Sequence, residues 1–340
     1  MNRPITLVTG QWTDLPLEEL AAKAAAWGYD GLELVCRSGY LDAARAAHSR
    51  EYCQERLGVL AGHGLKVFAI SNHAAGHLVC DPNDDSRTDV FAPADCAGDS
   101  EKKREWAIAA MKDTARAARN LGVGVVTGFT GSPIWHMLYR FPPVPEAWIE
   151  DGYAEFARRW NPILDVFDEC GVRFAMEVHP AQIAFDLITA RRAVDALGGR
   201  PAFGFNFDPS HLVWQMVEPT RFLEAFADRI YHVHIKDVML KLDGETGILG
   251  SHLPFGHRLR GWDFRSPGHG CVRFGEIVRT LNQIGYRGPL SVEWEDPGMN
   301  REHGARDALA HVRRLDFEPS ARAFDAAFQK DLGGKDSPRS

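Results

Sequence analysis

No two cysteines stand in a CxxC spacing, and that absence removes two function classes at once. Cys36, Cys53, Cys80, Cys96, Cys170 and Cys271 are scattered along the chain, so neither a zinc ribbon nor a dithiol redox motif is available, and free thiols in a reducing compartment are expected. Long apolar runs are also missing: nothing approaches the roughly 20 residues that a bilayer span needs. Residues 1–10 lack a basic region followed by an apolar stretch and a cleavage site, which makes a cytoplasmic location the expectation. Charges of one sign do not gather in blocks. The net charge is −7 with acidic and basic residues interspersed, which argues against a nucleic-acid or anionic-membrane partner. Finally, the turn after the first β-rich run reads Thr9-Gly10-Gln11-Trp12, which is no GxGxxG, so a dinucleotide-binding doubly wound sheet lacks its signature.

What is present is a repeated unit. The 340 residues, 45% hydrophobic and 25% charged, can bury a large core. An amphipathic helix, a helix stop such as Trp27-Gly28 or Leu121-Gly122, and a short apolar run recur along the chain. The runs cover residues 5–9, 31–35, 66–71, 123–129, 172–178, 203–207, 230–235 and 290–294. Between them Leu17, Leu20, Ala24 and Trp27 share one helical face, as do Phe274, Ile277, Val278, Leu281 and Ile284. Asp14 with Pro16 marks a helix start. Strands alternating with single helices pair in parallel through right-handed crossovers, and eight such units close into a (β/α)8 TIM barrel, an α/β fold of one domain. The barrel is expected over residues 1–318, with 319–340 a C-terminal extension and tail whose last residues, 335–340, fray; the doubly wound sheet is the alternative. Three connections, residues 74–99, 130–151 and 238–272, are too long for plain turns. All follow strands, which puts them over the C-terminal mouth where a barrel keeps its site.

Four consecutive strands end in polar clusters: Glu177-Val178-His179, Asp208-Pro209-Ser210-His211, His232-Val233-His234-Ile235-Lys236-Asp237 and Glu293-Trp294-Glu295-Asp296. Side chains at i and i+2 share a strand face, so Glu177 with His179, His232 with His234, and Glu293 with Glu295 can each point into the mouth together. Carboxylates converging there repel unless they are protonated or neutralised. One divalent ion resolves the conflict, and ligation rich in carboxylate with one imidazole suits Mn²⁺ first, with Mg²⁺, Co²⁺ or Zn²⁺ as alternatives.

These residues resemble the xylose-isomerase-like TIM barrels, the sugar phosphate isomerase/epimerase group that includes endonuclease IV, ketose 3-epimerases and inosose dehydratases. The resemblance spans nearly the whole chain. It rests on Glu177, the DxxH from Asp208 to His211, the HxKD from His234 to Asp237, and Ser291-Val292-Glu293. It implies Glu177, Asp208, His234 and Glu293 as metal ligands and His211 as a substrate or supporting group, with His232 able to exchange roles with His234. The segments Gly128-Phe129-Thr130-Gly131-Ser132, Ile134-Trp135-His136 and Ser291 through Asp296 are similar to a branch with keto-sugar lyases, such as the catalytic subunits of C-glycoside deglycosidases.

The chemistry expected is proton transfer on a small-molecule sugar or keto-sugar. A metal-chelated carbonyl and adjacent hydroxyl favour an enediolate once a carboxylate removes the α-proton. Glu177 and Glu293 are the candidate acid/base pair, with His136 reaching over the substrate or serving as an ordinary loop histidine. Candidate substrate contacts are His179, His211, Lys236, His73, Trp135 and Arg258. Lys236 either orients substrate oxygens or pairs with Asp237, and Arg258 either grips sugar oxygens or belongs to a solvated basic loop. A sugar isomerase or epimerase is the first expectation, and a keto-sugar lyase or dehydratase working by β-elimination the alternative. A non-catalytic sugar-binding barrel and an endonuclease-IV-like phosphodiesterase rank lower. Apolar residues in the long connections offer a homo-oligomer contact or a seat for a small accessory subunit.

Overall fold

The computed structural model describes residues 3–37 and 39–326; the expected tail over 335–340 lies outside them. Eight short parallel strands form the centre: β1 (Ile5–Val8), β2 (Gly31–Val35), β3 (Lys66–Ser71), β4 (Val125–Gly128), β5 (Arg173–Glu177), β6 (Phe203–Phe207), β7 (Ile230–Ile235) and, after a small ribbon of β8 (Asp237–Leu240) and β9 (Trp262–Arg265), β10 (Leu290–Val292). They close in the order β1-β10-β7-β6-β5-β4-β3-β2. Thr6 pairs with Gly31 of β2 on one side and with Ser291 of β10 on the other. That closure rules out the doubly wound alternative, whose sheet stays open with two edge strands.

The strands are buried on both faces because helices wrap the outside. The helix Leu17–Trp27 turns Leu17, Leu20, Ala21 and Ala24 inward and ends at Gly28, whose φ of +100° suits glycine. Asp14 does not cap it. Its carboxylate instead takes two 2.6 Å bonds from Arg301, tying the first helix to the last one, Arg301–Leu315.

Two register shifts bear on the site. One lies between Leu32 and Glu33 in the β2–β3 pairing, the other between Phe205 and Asn206 in the β6–β7 pairing. Such irregularities re-aim neighbouring side chains, and both occur beside polar residues of the barrel interior. At the second, Gly204 admits the close approach of β7: a Cβ there would lie 2.3 Å from the Tyr231 ring and 2.5 Å from the Arg229 carbonyl.

The connection after β7 is not a plain loop. Its ends pair as the antiparallel ribbon β8–β9, which was not legible because residues 241–261, rich in glycine, histidine and arginine, separate two four-residue strands. Asp237, at the start of the ribbon, accepts backbone N–H bonds from Val238, Gly268, Gly270 and Val272. It therefore fastens the returning chain and does not pair with Lys236. All six cysteines are free thiols. No helix of the described residues is long and apolar enough to cross a membrane.

Candidate active site

Strands β5, β6, β7 and β10 lie side by side, and each brings one polar side chain to a common point at the mouth. One ligand atom each from Glu177, Asp208, His234 and Glu293 lies within 4.8 Å of all the others. His234 Nδ1 is 2.9 Å from Glu293 Oε2 and 3.5 Å from Glu177 Oε2. Asp208 caps the short helix that follows it, with Oδ1 accepting from Ser210 N at 2.8 Å and Ser210 Oγ at 2.7 Å. Its other oxygen, Oδ2, is buried and accepts no hydrogen bond from any described residue. Ligand atoms about 2.0–2.2 Å from one ion are separated by at most about 4.4 Å, so modest tightening suffices. A buried carboxylate oxygen that accepts no hydrogen bond, with His211 Nε2 at 3.4 Å and other acids around it, fits a divalent cation.

The charges support this picture. Burial alone would raise Glu177, but His211 and His73 beside it hold it well below the usual carboxylate range. His73 Nε2 lies 2.8 Å from Glu177 Oε2, and His211 Nε2 lies 3.4 Å from Oε1. Burial of Glu293 is likewise outweighed, first by Lys236 and then by His234, leaving it at about 2. Asp208 goes the other way: burial pushes it up to about 6, against the pull of His211 and Lys236. Lys236 stays charged, since Glu293 and Glu295 more than offset the cost of its burial. Its Nζ is 3.4 Å from Glu293 and 3.2 Å from Glu295, and the Phe264 ring lies under it at 4.3 Å. His179, lowered to about 3 by burial and then by His211, is a neutral imidazole whose ring sits 4.0 Å from that of His211.

Not every expected residue arrives here. His73, His179, His211 and Lys236 surround the four convergent groups. His136 stands exposed on the short turn Trp135–Met137 and makes no hydrogen bond or ion pair to them. Trp135 packs edge-on against Phe185 at 5.3 Å. Arg258 is exposed beyond the β8–β9 ribbon, lining a separate cavity of about 260 Å³ with Arg260 and Trp262. Trp294 is a packing residue, its ring nitrogen bonded to Ser266 Oγ at 3.0 Å.

Two residues were missed. Gln11, just beyond β1, donates to Glu293 Oε1 at 3.1 Å and to Glu295 Oε1 at 3.2 Å; it lies in the very turn whose lack of a phosphate motif was noted. Glu33 sits deeper, and it separates the two histidines of β7. His232 bonds to Glu33 within the barrel, whereas His234 faces the mouth with one nitrogen and Glu33 with the other.

Residues 21–315 match the family model described as the xylose isomerase-like TIM barrel. The chain belongs to that family. Among curated relatives it is similar to the uncharacterized protein YfiH of Bacillus subtilis, 29% identical over 160 residues that cover 46% of this chain and 50% of YfiH. It is also similar to the inosose dehydratase of Clostridium beijerinckii, 35% identical over 94 residues covering 27% and 31% of the two chains. The chain thus matches half the length of the first of these relatives and less than a third of the second. Solved folds of the same kind include the 3-keto-D-glucoside 4-epimerase YcjR of E. coli, with 15% identity, a TM-score of 0.64, and 92% and 100% of the two chains covered. The IolI protein, solved with a zinc atom, gives 18% identity, a TM-score of 0.63, and coverage of 92% and 98%.

Proposed function

We propose that this protein is a divalent-metal-dependent enzyme that abstracts a proton next to a sugar carbonyl, with isomerisation or epimerisation as the outcome. The observation that carries the reading is the convergence of Glu177, Asp208, His234 and Glu293 on one point, with a buried Asp208 oxygen that accepts no hydrogen bond. These four residues would hold the ion, which when bound supplies Lewis-acid polarisation of a carbonyl and its neighbouring hydroxyl. Mn²⁺ is the ion proposed first, and the zinc atom of IolI, a protein of the same fold, supports a divalent-metal site.

The chain's own groups divide the remaining work. Glu177 and Glu293 are both ionised at neutral pH, and β6 and β7 lie between their strands, so they approach a bound sugar from different sides. One removes the α-proton; that carboxyl then gives the proton back, or the other carboxylate, once it has taken a proton from water, delivers one, and the face or carbon that receives it decides between epimer and isomer. Lys236, charged and buried between Glu293 and Glu295, can turn an N–H toward a substrate oxygen as negative charge develops. His211 and neutral His179 offer further contacts to sugar hydroxyls, and His73 steadies Glu177. The free thiols support a cytoplasmic enzyme.

The likeness to inosose dehydratase favours a second outcome of the same first step, expulsion of a β-substituent. A test in D₂O with Mn²⁺ uses one ketose and one 3-keto-glycoside as substrates. Deuterium entering next to the carbonyl with an epimer or isomer as product supports the first outcome, and release of water or an aglycone supports the second. Absence of both exchange and product, with Mn²⁺ bound, contradicts the enzyme reading and leaves a sugar-binding barrel.

A further inference from the structure

Glu33 is a carboxylate inside the barrel with no exposed surface, and among the described residues no lysine or arginine pairs with it. A buried acid in such a place is costly unless each of its lone pairs is occupied. Here they are. Oε1 accepts from Thr127 Oγ1 at 2.6 Å and Oε2 from Ser291 Oγ at 2.8 Å; Ser291 in turn accepts from Thr6 at 2.9 Å. The remaining positions face two rings of β7, His232 Nε2 at 2.8 Å and His234 Nε2 at 3.1 and 3.2 Å. Side chains from β4, β7 and β10 therefore converge on one residue of β2, at the register shift between Leu32 and Glu33, with Thr6 of β1 behind Ser291.

This arrangement leaves His234 no freedom. An ionised carboxylate only accepts hydrogen bonds, so the ring nitrogen facing Glu33 must carry a proton. The other nitrogen, Nδ1, points at Glu293 and Glu177. We propose that Glu33 is a positioning residue that holds the His234 ring with its Nε2 proton turned into the barrel, so that Nδ1 is the atom offered to the divalent ion. The assignment rests on the metal reading above and deepens it. His232 is then the second arm of the clamp and not an exchangeable ligand. Histidines that ligate metals commonly donate their other N–H to a carboxylate in this way, and loss of that carboxylate costs about 10–100-fold in metal affinity. Glu33, His232 and His234 also lie close enough to be considered a metal group themselves. The two hydroxyls already seated on Glu33 oppose that use.

The test combines calorimetric titration of Mn²⁺ with long-range ¹H–¹⁵N correlation of the Zn²⁺-loaded, ¹⁵N-histidine-labelled protein. In the wild type the expected result is a slowly exchanging proton on His234 Nε2 and a metal-shifted Nδ1. Glu33→Gln is expected to bind Mn²⁺ about 10–100-fold more weakly and to lose the protected Nε2 proton. Thr127→Val keeps the carboxylate and is expected to lose less than about tenfold with the proton retained. Zinc on Nε2 of His234 or on His232 in the wild type overturns the assignment, and this measurement needs no variant to fold. An affinity within about twofold of wild type in a folded Glu33→Gln also overturns it. A wild type that binds neither ion removes the metal reading itself, and the assignment with it.

Discussion

Glu33 and Asp208 are both carboxylates without exposed surface, yet their surroundings differ in kind. Around Glu33 two hydroxyls and two imidazoles satisfy both oxygens, and the charges of His234 and His232 overcome burial to hold it well below the carboxylate range. Around Asp208 one oxygen is capped by Ser210 while the other has no hydrogen-bond partner, and burial lifts the group to about 6. The barrel floor is a finished hydrogen-bond network. At the mouth, Lys236 and the histidines hold Glu177 and Glu293 down, but Asp208 is left raised with one oxygen that accepts no hydrogen bond, and that imbalance is what a cation would correct.

Substitutions at the mouth and the floor should therefore differ in sign as well as in size. The largest effect expected is on turnover: Glu177→Gln or Glu293→Gln lowers kcat/KM on the active sugar by about 10³-fold or more, on the order of 4 kcal/mol, whereas Ser291→Ala at the floor costs less than about tenfold. Steady-state kinetics at saturating Mn²⁺ checks both. Equal losses at the two levels would erase the distinction.

The next effect is on stability. Glu33→Ala leaves two buried histidines facing an emptied site and should destabilise the ion-free protein by about 3–5 kcal/mol. Asp208→Asn should stabilise the ion-free protein at pH 7 by on the order of 2 kcal/mol, because it removes a carboxylate that ionises at a cost. Urea unfolding with a chelator present measures both, and a loss of stability in Asp208→Asn would break the comparison.

The same contrast has a pH dependence. Asp208 has a folded-state pKa of about 6, above the roughly 3.9 of an unfolded aspartate, so the folded protein holds the extra proton between those values. Its stabilisation is present below about pH 4 and is lost as pH rises through 6. Bound Mn²⁺ should flatten this slope, as should Asp208→Asn; a slope unchanged by either would assign it to other groups. The smallest effect concerns Lys236, which more than any other group holds Glu293 near 2. Lys236→Met should move the acid limb of the kcat/KM profile upward by about one pH unit, and an unmoved limb would mean that Glu293 does not set it.

Much of this was legible along the chain, for local reasons. Each barrel strand after the first announced itself by a helix stop followed by an apolar run, and the polar strand ends could be paired by the two-residue period that puts Glu293 and Glu295, or His232 and His234, on one face. Glu33 carried the same signal, a carboxylate within Gly31-Leu32-Glu33-Leu34-Val35. Its partners lie on β4, β7 and β10, so nothing near it in sequence told a buried anchor from a solvent-facing acid. Asp237 was misjudged for a related reason: three of its four amide donors come from residues 268–272, which return only once the ribbon has formed. His136 looked equally suited to the mouth, but the turn that carries it directs it to solvent.

The most direct measurement is anomalous diffraction from crystals soaked in Mn²⁺. One strong peak is expected about 2.0–2.3 Å from oxygens of Glu177, Asp208 and Glu293 and from Nδ1 of His234. A peak seated on Glu33 and His232, or no peak at millimolar Mn²⁺, would contradict a single ion shared by the acids of the mouth.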